Sequence, residues 1–259
     1  MHNSEAPIGV FDSGFGGISA LRQLTRVMSN EDYIYFGDSK NAPYGGRDVE
    51  EVGRLTMEAV DFLTKDCGVK AVVIACNTAT SAAIGRVRAR YPSMPVIGIE
   101  PALKPAIFET SRTSVLVMAT ELTLRERKFA ALIERCRGGA DIFLLPAPAL
   151  VEFVERGELC SPALDACLNA MLAPYRDKGV GNVVLGCTHF PFVADSIKKA
   201  TGSDVRIFDG LHGTALETKR RLEAAALRRT ETRQGNVIFL NSNGTERAIA
   251  LSRKLFYGG

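Results

Sequence analysis

The sequence predicts an α/β protein of two similar domains, each with a mainly parallel sheet covered by helices, facing each other across a central cleft. Three observations carry this. Short continuous apolar runs alternate with longer amphipathic ones, the pattern of parallel strands covered on both faces. That pattern pauses near Gly98–Pro101 and restarts at Ser114, which places a boundary there. The segment Val72-Val73-Ile74-Ala75-Cys76-Asn77-Thr78 is also echoed by Val183-Val184-Leu185-Gly186-Cys187-Thr188-His189. Each is an apolar strand ending in a small residue, a cysteine and polar residues before a helix.

In the first half, Ile8–Phe11 reads as a strand, and Ile18–Met28 as a helix after a glycine-rich turn. Tyr33–Phe36 is a second strand. From Asp48 to Leu63 apolar residues recur at 49, 52, 59, 60 and 63, the helical period, and Asp48 with Glu51 makes a capping-box-like start. Lys70–Ala75 is a strand, residues from about Thr78 to Arg90 a helix, and Val96–Ile99 a fourth strand. In the second half Ser114–Met118 is a strand, Glu121–Cys136 one helix, and Ile142–Leu145 a strand. Leu150–Val154 and Ala163–Tyr175 are helical. Asn182–Leu185 is a strand followed by a helix to Ala200, and Val205–Phe208 is another strand. The last stretch runs helix Thr214–Arg229, strand Val237–Leu240, helix Glu246–Leu255.

A chain of 259 residues can bury about 70–75% of its unfolded surface, so it has a core without staples. Its net charge of +3 is small, and Lys219-Arg220-Arg221 with Arg228-Arg229 read as a solvated helix face, not a nucleic-acid patch. The apolar runs near Val69–Cys76 fall far short of a membrane span. Nothing near the start resembles an export signal, so the protein is expected in the cytoplasm. Cys67, Cys76, Cys136, Cys160, Cys167 and Cys187 include no C-x-x-C pair, and in a reducing compartment they are free thiols.

Ligands bind outside the carboxyl ends of strands in open α/β sheets. Two similar halves would therefore set Cys76 and Cys187 across one cleft. A thiol at a strand end, before a helix start and beside Asn77, Thr78, Thr188 or His189, is expected to have a lowered pKa. The same surroundings bind a carboxylate. One such thiol suggests a nucleophile. Two matched thiols suggest inversion at carbon, one removing a proton from one face and the other returning it to the opposite face.

Asp12-Ser13-Gly14-Phe15-Gly16-Gly17 follows the first strand and reads as a tight turn presenting Asp12, Ser13 and backbone N–H groups to a ligand. A dinucleotide site is the rival, but Ser19 stands at the third glycine position of G-x-G-x-x-G. Lys40, in the polar loop Gly37–Gly46, could form a Schiff base with pyridoxal phosphate, yet nothing nearby looks like a phosphate cup. Zinc on Cys76, Cys187 and His189 lacks paired close ligands. No metal and no cofactor are expected. His2 stands near the terminus and His212 reads as a surface residue or a cap.

At these residues the chain resembles the glutamate racemase family, cofactor-independent racemases of acidic amino acids. The matching segments are Gly9–Gly14, Gly37-Asp38 through Pro43-Tyr44-Gly45, Ala75–Thr80 and Leu185–Pro191, in the family's order and spacing. The resemblance implies interconversion of L- and D-glutamate for peptidoglycan by a homodimer. It implies that Cys76 takes the α-proton from the D-enantiomer and Cys187 from the L-enantiomer, with Asp12 and His189 assisting. It assigns substrate binding to Asp12, Ser13, Tyr44, Gly45, Asn77, Thr78, Thr188 and His189, and it matches Glu155 to an acidic residue near the second thiol. It also implies that the last segment folds back, giving domains 1–98 plus 211–259 and 99–210. The turn Asp209–Gly213 departs from the family's usual Asp-Ser. A racemase of aspartate, or a two-lobed amino-acid-binding module, would share much of this pattern.

Overall fold

The structure is a computed structural model that describes residues 4–108, 114–136, 138–202 and 204–258. His2 lies outside them. In chain order the first half comprises β1 (Ile8–Asp12), α1 (Ile18–Val27), β2 (Tyr33–Gly37), α2 (Val49–Lys65), β3 (Ala71–Ile74), α3 (Asn77–Arg90) and β4 (Val96–Gly98). Then follow α4 (Leu103–Phe108), β5 (Ser114–Ala119), α5 (Glu121–Arg125), α6 (Arg127–Cys136), β6 (Asp141–Pro146), α7 (Pro148–Glu155), α8 (Pro162–Leu172), β7 (Asn182–Leu185), α9 (Ala194–Thr201) and β8 (Arg206–Asp209). The chain closes with α10 (Leu211–Ala224), β9 (Val237–Asn241) and α11 (Glu246–Tyr257).

Two parallel sheets result, as the alternating pattern predicts. The first has the order β4-β3-β1-β2-β9 and the second β6-β5-β7-β8. β9 reaches back from the end of the chain to pair with β2, from Tyr33 opposite Val237 to Gly37 opposite Asn241. Parallel sheets need cover on both faces. On one face of the first sheet Ile18, Leu21, Ala215, Leu222 and Leu255 of α1, α10 and α11 meet Val10, Tyr35 and Val73. On the other, Val52, Leu55, Ala79 and Ile84 of α2 and α3 meet Phe11, Val72 and Ile74. The second sheet is covered in the same way, by α7, α8 and α9 on one face and by α4 and α6 on the other.

Asp48 caps α2 through the backbone N–H of Glu50 at 2.8 Å, while Glu51 turns to Arg47 and does not close the box. The expected single helix over 121–136 is broken at Glu126, whose ψ of 138° is extended. The break serves two masters. It lets buried Thr123 face the buried threonines at the strand ends while Phe129 and Cys136 enter the core beneath α4. The segment after Cys187 also differs from expectation. Residues 187–189 form a turn, Phe190–Val193 a 3-10 helix, and α9 starts only at Ala194. Helix α4 was not foreseen, and it contains Pro105. The proline lies in the first turn, where no intrahelical N–H bond is lost.

Candidate active site

Six strand ends converge on one cleft. Ser13 follows β1, the loop Ala42–Gly46 follows β2, and Cys76, Asn77 and Thr78 follow β3. From the second sheet Thr120 and Glu121 follow β5, Pro148 to Glu155 follow β6, and Cys187, Thr188 and His189 follow β7. These residues enclose about 210 Å³. The two thiols are therefore brought to one hollow from opposite sheets. Cys76 is 5% exposed and Cys187 7%, so the cleft is their route to solvent.

Cys76 is the N-cap residue of α3, its sulfur 3.4 Å from the N–H of Ala79 and 3.5 Å from Ser13 Oγ. The sequence argument expected this position to lower its pKa. The structure reverses that expectation. Burial is the largest influence and the Asp12 carboxylate adds to it, and together they outweigh Ser13 and the helix start. The Cys76 thiol is pushed up to about 12. Next to it the amide oxygen Asn77 Oδ1 is buried without a partner among the described residues, an acceptor left open to a ligand. Thr78 Oγ1 lies 2.9 Å from Thr120 Oγ1 and 3.2 Å from Thr123 Oγ1, which ties the two halves together on this side.

Cys187 has different company. No α-helix begins beside it, because Pro191 and the 3-10 turn set α9 further on. Instead its sulfur stands 3.5 Å from His189 Nδ1, and His189 Nε2 lies 2.6 Å from Glu155 Oε1. Burial alone would depress the His189 pKa. The hydrogen bonds and electrostatic attraction of Cys187 and Glu155 win, and hold it well above the ordinary value. Glu155 Oε1 also accepts from the N–H of Phe15 at 2.9 Å, so it spans both halves.

This explains the glycines after β1. A Cβ on Gly14 would come within 2.2 Å of Glu155 Oε1, and one on Gly16 within 2.3 Å of His189 Nδ1. The glycines leave room for the Glu155–His189 pair, not for a pyrophosphate.

Of the residues assigned from the sequence, Ser13, Tyr44, Gly45, Cys76, Asn77, Thr78, Glu155, Cys187, Thr188 and His189 line the cleft. Asp12 does not. It is fully buried behind the wall, where it accepts from the Gly14 N–H at 2.9 Å and from Thr188 Oγ1 at 3.1 Å. Desolvation is the main influence on its carboxyl and raises its pKa. The Tyr44 hydroxyl donates to Asp38 Oδ2 at 2.7 Å, which fixes the loop that carries Gly45. Lys40 and His212 are exposed and lie outside the cleft wall, His212 bonding Gln23 at 2.8 Å. Thr120, Glu121, Val151 and Glu152 line the cleft and were missed. Thr120 could have been found, because it directly follows a central strand as Asn77 and Thr188 nearly do. Val151 and Glu152 offered no such signal.

A family model described as Asp/Glu/Hydantoin racemase matches residues 8–218. A glutamate racemase of Clostridium botulinum is 49% identical over 255 residues, 98% of each chain. Among solved structures, a glutamate racemase of Francisella tularensis in complex with D-glutamate superposes with a TM-score of 0.84 at 27% identity, covering 98% of this chain and 94% of that one. One from Escherichia coli in complex with L-glutamate and activator UDP-MurNAc-ala has a TM-score of 0.85 at 27% identity, covering 96% and 95%.

Proposed function

The chain belongs to the Asp/Glu/hydantoin racemase family, and on that premise we propose that it interconverts L- and D-glutamate by passing the α-proton between two thiols. The observation that carries this reading is the cleft itself, lined by one sulfur from each sheet. Cys187 removes the α-proton of the L-enantiomer, so that a C–H bond breaks as an S–H bond forms. Cys76 then gives its proton to the opposite face. With its pKa near 12, Cys76 waits protonated, ready for that donation. In the reverse direction the roles exchange.

The α-proton is very weakly acidic, so the developing charge needs preorganised donors in a dry site. The backbone N–H groups at the start of α3 and in the 187–190 turn supply them. The protonated imidazole of His189 donates to the Cys187 sulfur while that sulfur is a thiolate, before it takes the proton of the L-enantiomer and after it gives one up in the reverse direction. Glu155 keeps the imidazole charged and oriented. Ser13, Tyr44, Gly45, Asn77, Thr78, Thr188 and His189 hold the substrate, with Asn77 Oδ1 open to its ammonium. Asp12 acts from behind, by holding Thr188 and the Gly14 turn. No cofactor enters this scheme. The family likeness extends the reading to D-glutamate for peptidoglycan, made in the cytoplasm by a homodimer. It also supports a division into domains 1–98 plus 211–259 and 99–210. Among the described residues no helix is long and apolar enough to cross a membrane.

Circular dichroism of D-glutamate with purified protein and no added cofactor tests the activity. The signal should decay to zero, and a constant signal overturns the proposal. D-Aspartate should turn over more slowly. In heavy water the product should carry deuterium at the α-carbon. Cys76→Ala and Cys187→Ala should each lower racemisation by more than about a hundredfold, while exposed Cys160→Ala should leave it intact. Full activity in either of the first two variants ends the two-thiol account.

A further inference from the structure

We propose that Ser19 is a positioning residue whose hydroxyl fastens the Cys187–His189 turn to the first half of the molecule. The inference rests on the two-thiol reading above. Ser19 occupies the place where a dinucleotide fingerprint would have its third glycine, so the glycine-turn motif leaves it without a role. The structure supplies one. Ser19 is buried in the first turn of α1, and its Oγ lies 2.8 Å from the carbonyl of Thr188 and 2.8 Å from that of Gly16. Thr188 sits between Cys187 and His189, and its carbonyl belongs to the second half.

A hydroxyl has one proton and can satisfy only one of these carbonyls at a time. With the halves together it can donate to Thr188. With the halves apart it falls back on Gly16, inside its own helix turn. Neither state leaves a buried donor unpaired, so the contact is made and broken without the penalty of an orphaned polar group. That suits a cleft that must open to admit a substrate and close for chemistry. Two neighbouring contacts pull in the same direction, Thr188 Oγ1 to Asp12 and the Phe15 N–H to Glu155. All three secure the Cys187 side. Cys76 is held separately, by Ser13 and by its own helix. Loss of the Ser19 hydroxyl should therefore displace one sulfur and spare the other.

The test reads the two proton transfers separately. The enantiomers are equal in free energy, so kcat/KM is the same from either side and cannot tell the thiols apart. Primary isotope effects can. With α-deuterated L-glutamate the effect reports the transfer to Cys187, and with α-deuterated D-glutamate the transfer to Cys76. In Ser19→Ala, kcat/KM should fall about three- to tenfold, the worth of one neutral hydrogen bond. The isotope effect should rise with the L-enantiomer and fall with the D-enantiomer. Ser19→Thr keeps a hydroxyl and should retain the parental pair of isotope effects. A Ser19→Ala enzyme with both effects unchanged overturns the proposal, and so does a Ser19→Thr enzyme skewed like Ser19→Ala. If Ser19→Ala does not fold, Ser19→Cys keeps the size but donates weakly and should show the same skew, and unchanged isotope effects there overturn the proposal. A parent that fails to racemise glutamate removes the underlying reading, whatever the variants do.

Discussion

Cys76 caps a helix and yet holds its proton more tightly than a thiol in water. Magnitudes explain why. A helix terminus contributes about 0.3–1 kcal/mol to a nearby charge, less than one pKa unit of about 1.4 kcal/mol. Full burial beside the Asp12 carboxylate opposes it with more. The sequence displayed the cap but not the burial, which depends on the second half closing over the first. His189 presents the opposite balance, because its partners Cys187 and Glu155 overcome its burial. Glu155→Gln removes one of them, so the imidazole should lose its proton at lower pH. The alkaline limb of the kcat/KM profile should then move to lower pH, and kcat/KM at its maximum should fall by about a hundredfold. An alkaline limb that stays in place would show that Glu155 does not govern His189. Nothing in the spacing of Glu155 and His189 discloses their contact. Only the likeness to known racemases pointed to that carboxylate.

Among the elements, the turn between β1 and α1 is where a small change should do most. A methyl on Gly16 would need the space of the His189 ring. Gly16→Ala should move that ring away from Cys187, and a displacement of about 1 Å costs roughly a hundredfold in rate. The unfolding temperature should change little by comparison. An active Gly16→Ala enzyme would mean that the turn gives way and the ring keeps its place beside Cys187. Most elements were legible because strand and helix periods are local properties of the chain. Two were not. The interruption at Glu126 answers to Thr123 and Phe129, which face in different directions, and no turn residue marks it. The delayed start of α9 follows from the 187–190 turn, so the apparent symmetry of the two cysteine segments overstated their likeness. One thiol has a helix, the other a histidine.

Across the whole molecule, the amino edges of the first sheet are joined by charge. Lys70 Nζ lies 2.5 Å from Glu31 Oε2, and both side chains are fully buried. Glu31 Oε1 also accepts the N–H of Arg229 at 2.9 Å, and the Arg229 guanidinium reaches Asp32 at 2.9 Å. Removing one partner of a buried ion pair costs about 3–5 kcal/mol. Lys70→Met should lower stability in urea unfolding by that amount and leave kcat/KM unchanged. A loss below about 1 kcal/mol would mean that Glu31 finds another cation. The two sheets and their covering helices could be anticipated from the alternating pattern, but this network could not, since its members lie almost 200 residues apart. β9 has a further consequence. It is an edge strand of the sheet that carries Cys76, and it follows both thiols in the chain. Both sulfurs are thus synthesised while the sheet still lacks its border. A nascent chain arrested before Val237 should be inert, and activity should appear only once β9 has been made and paired with β2.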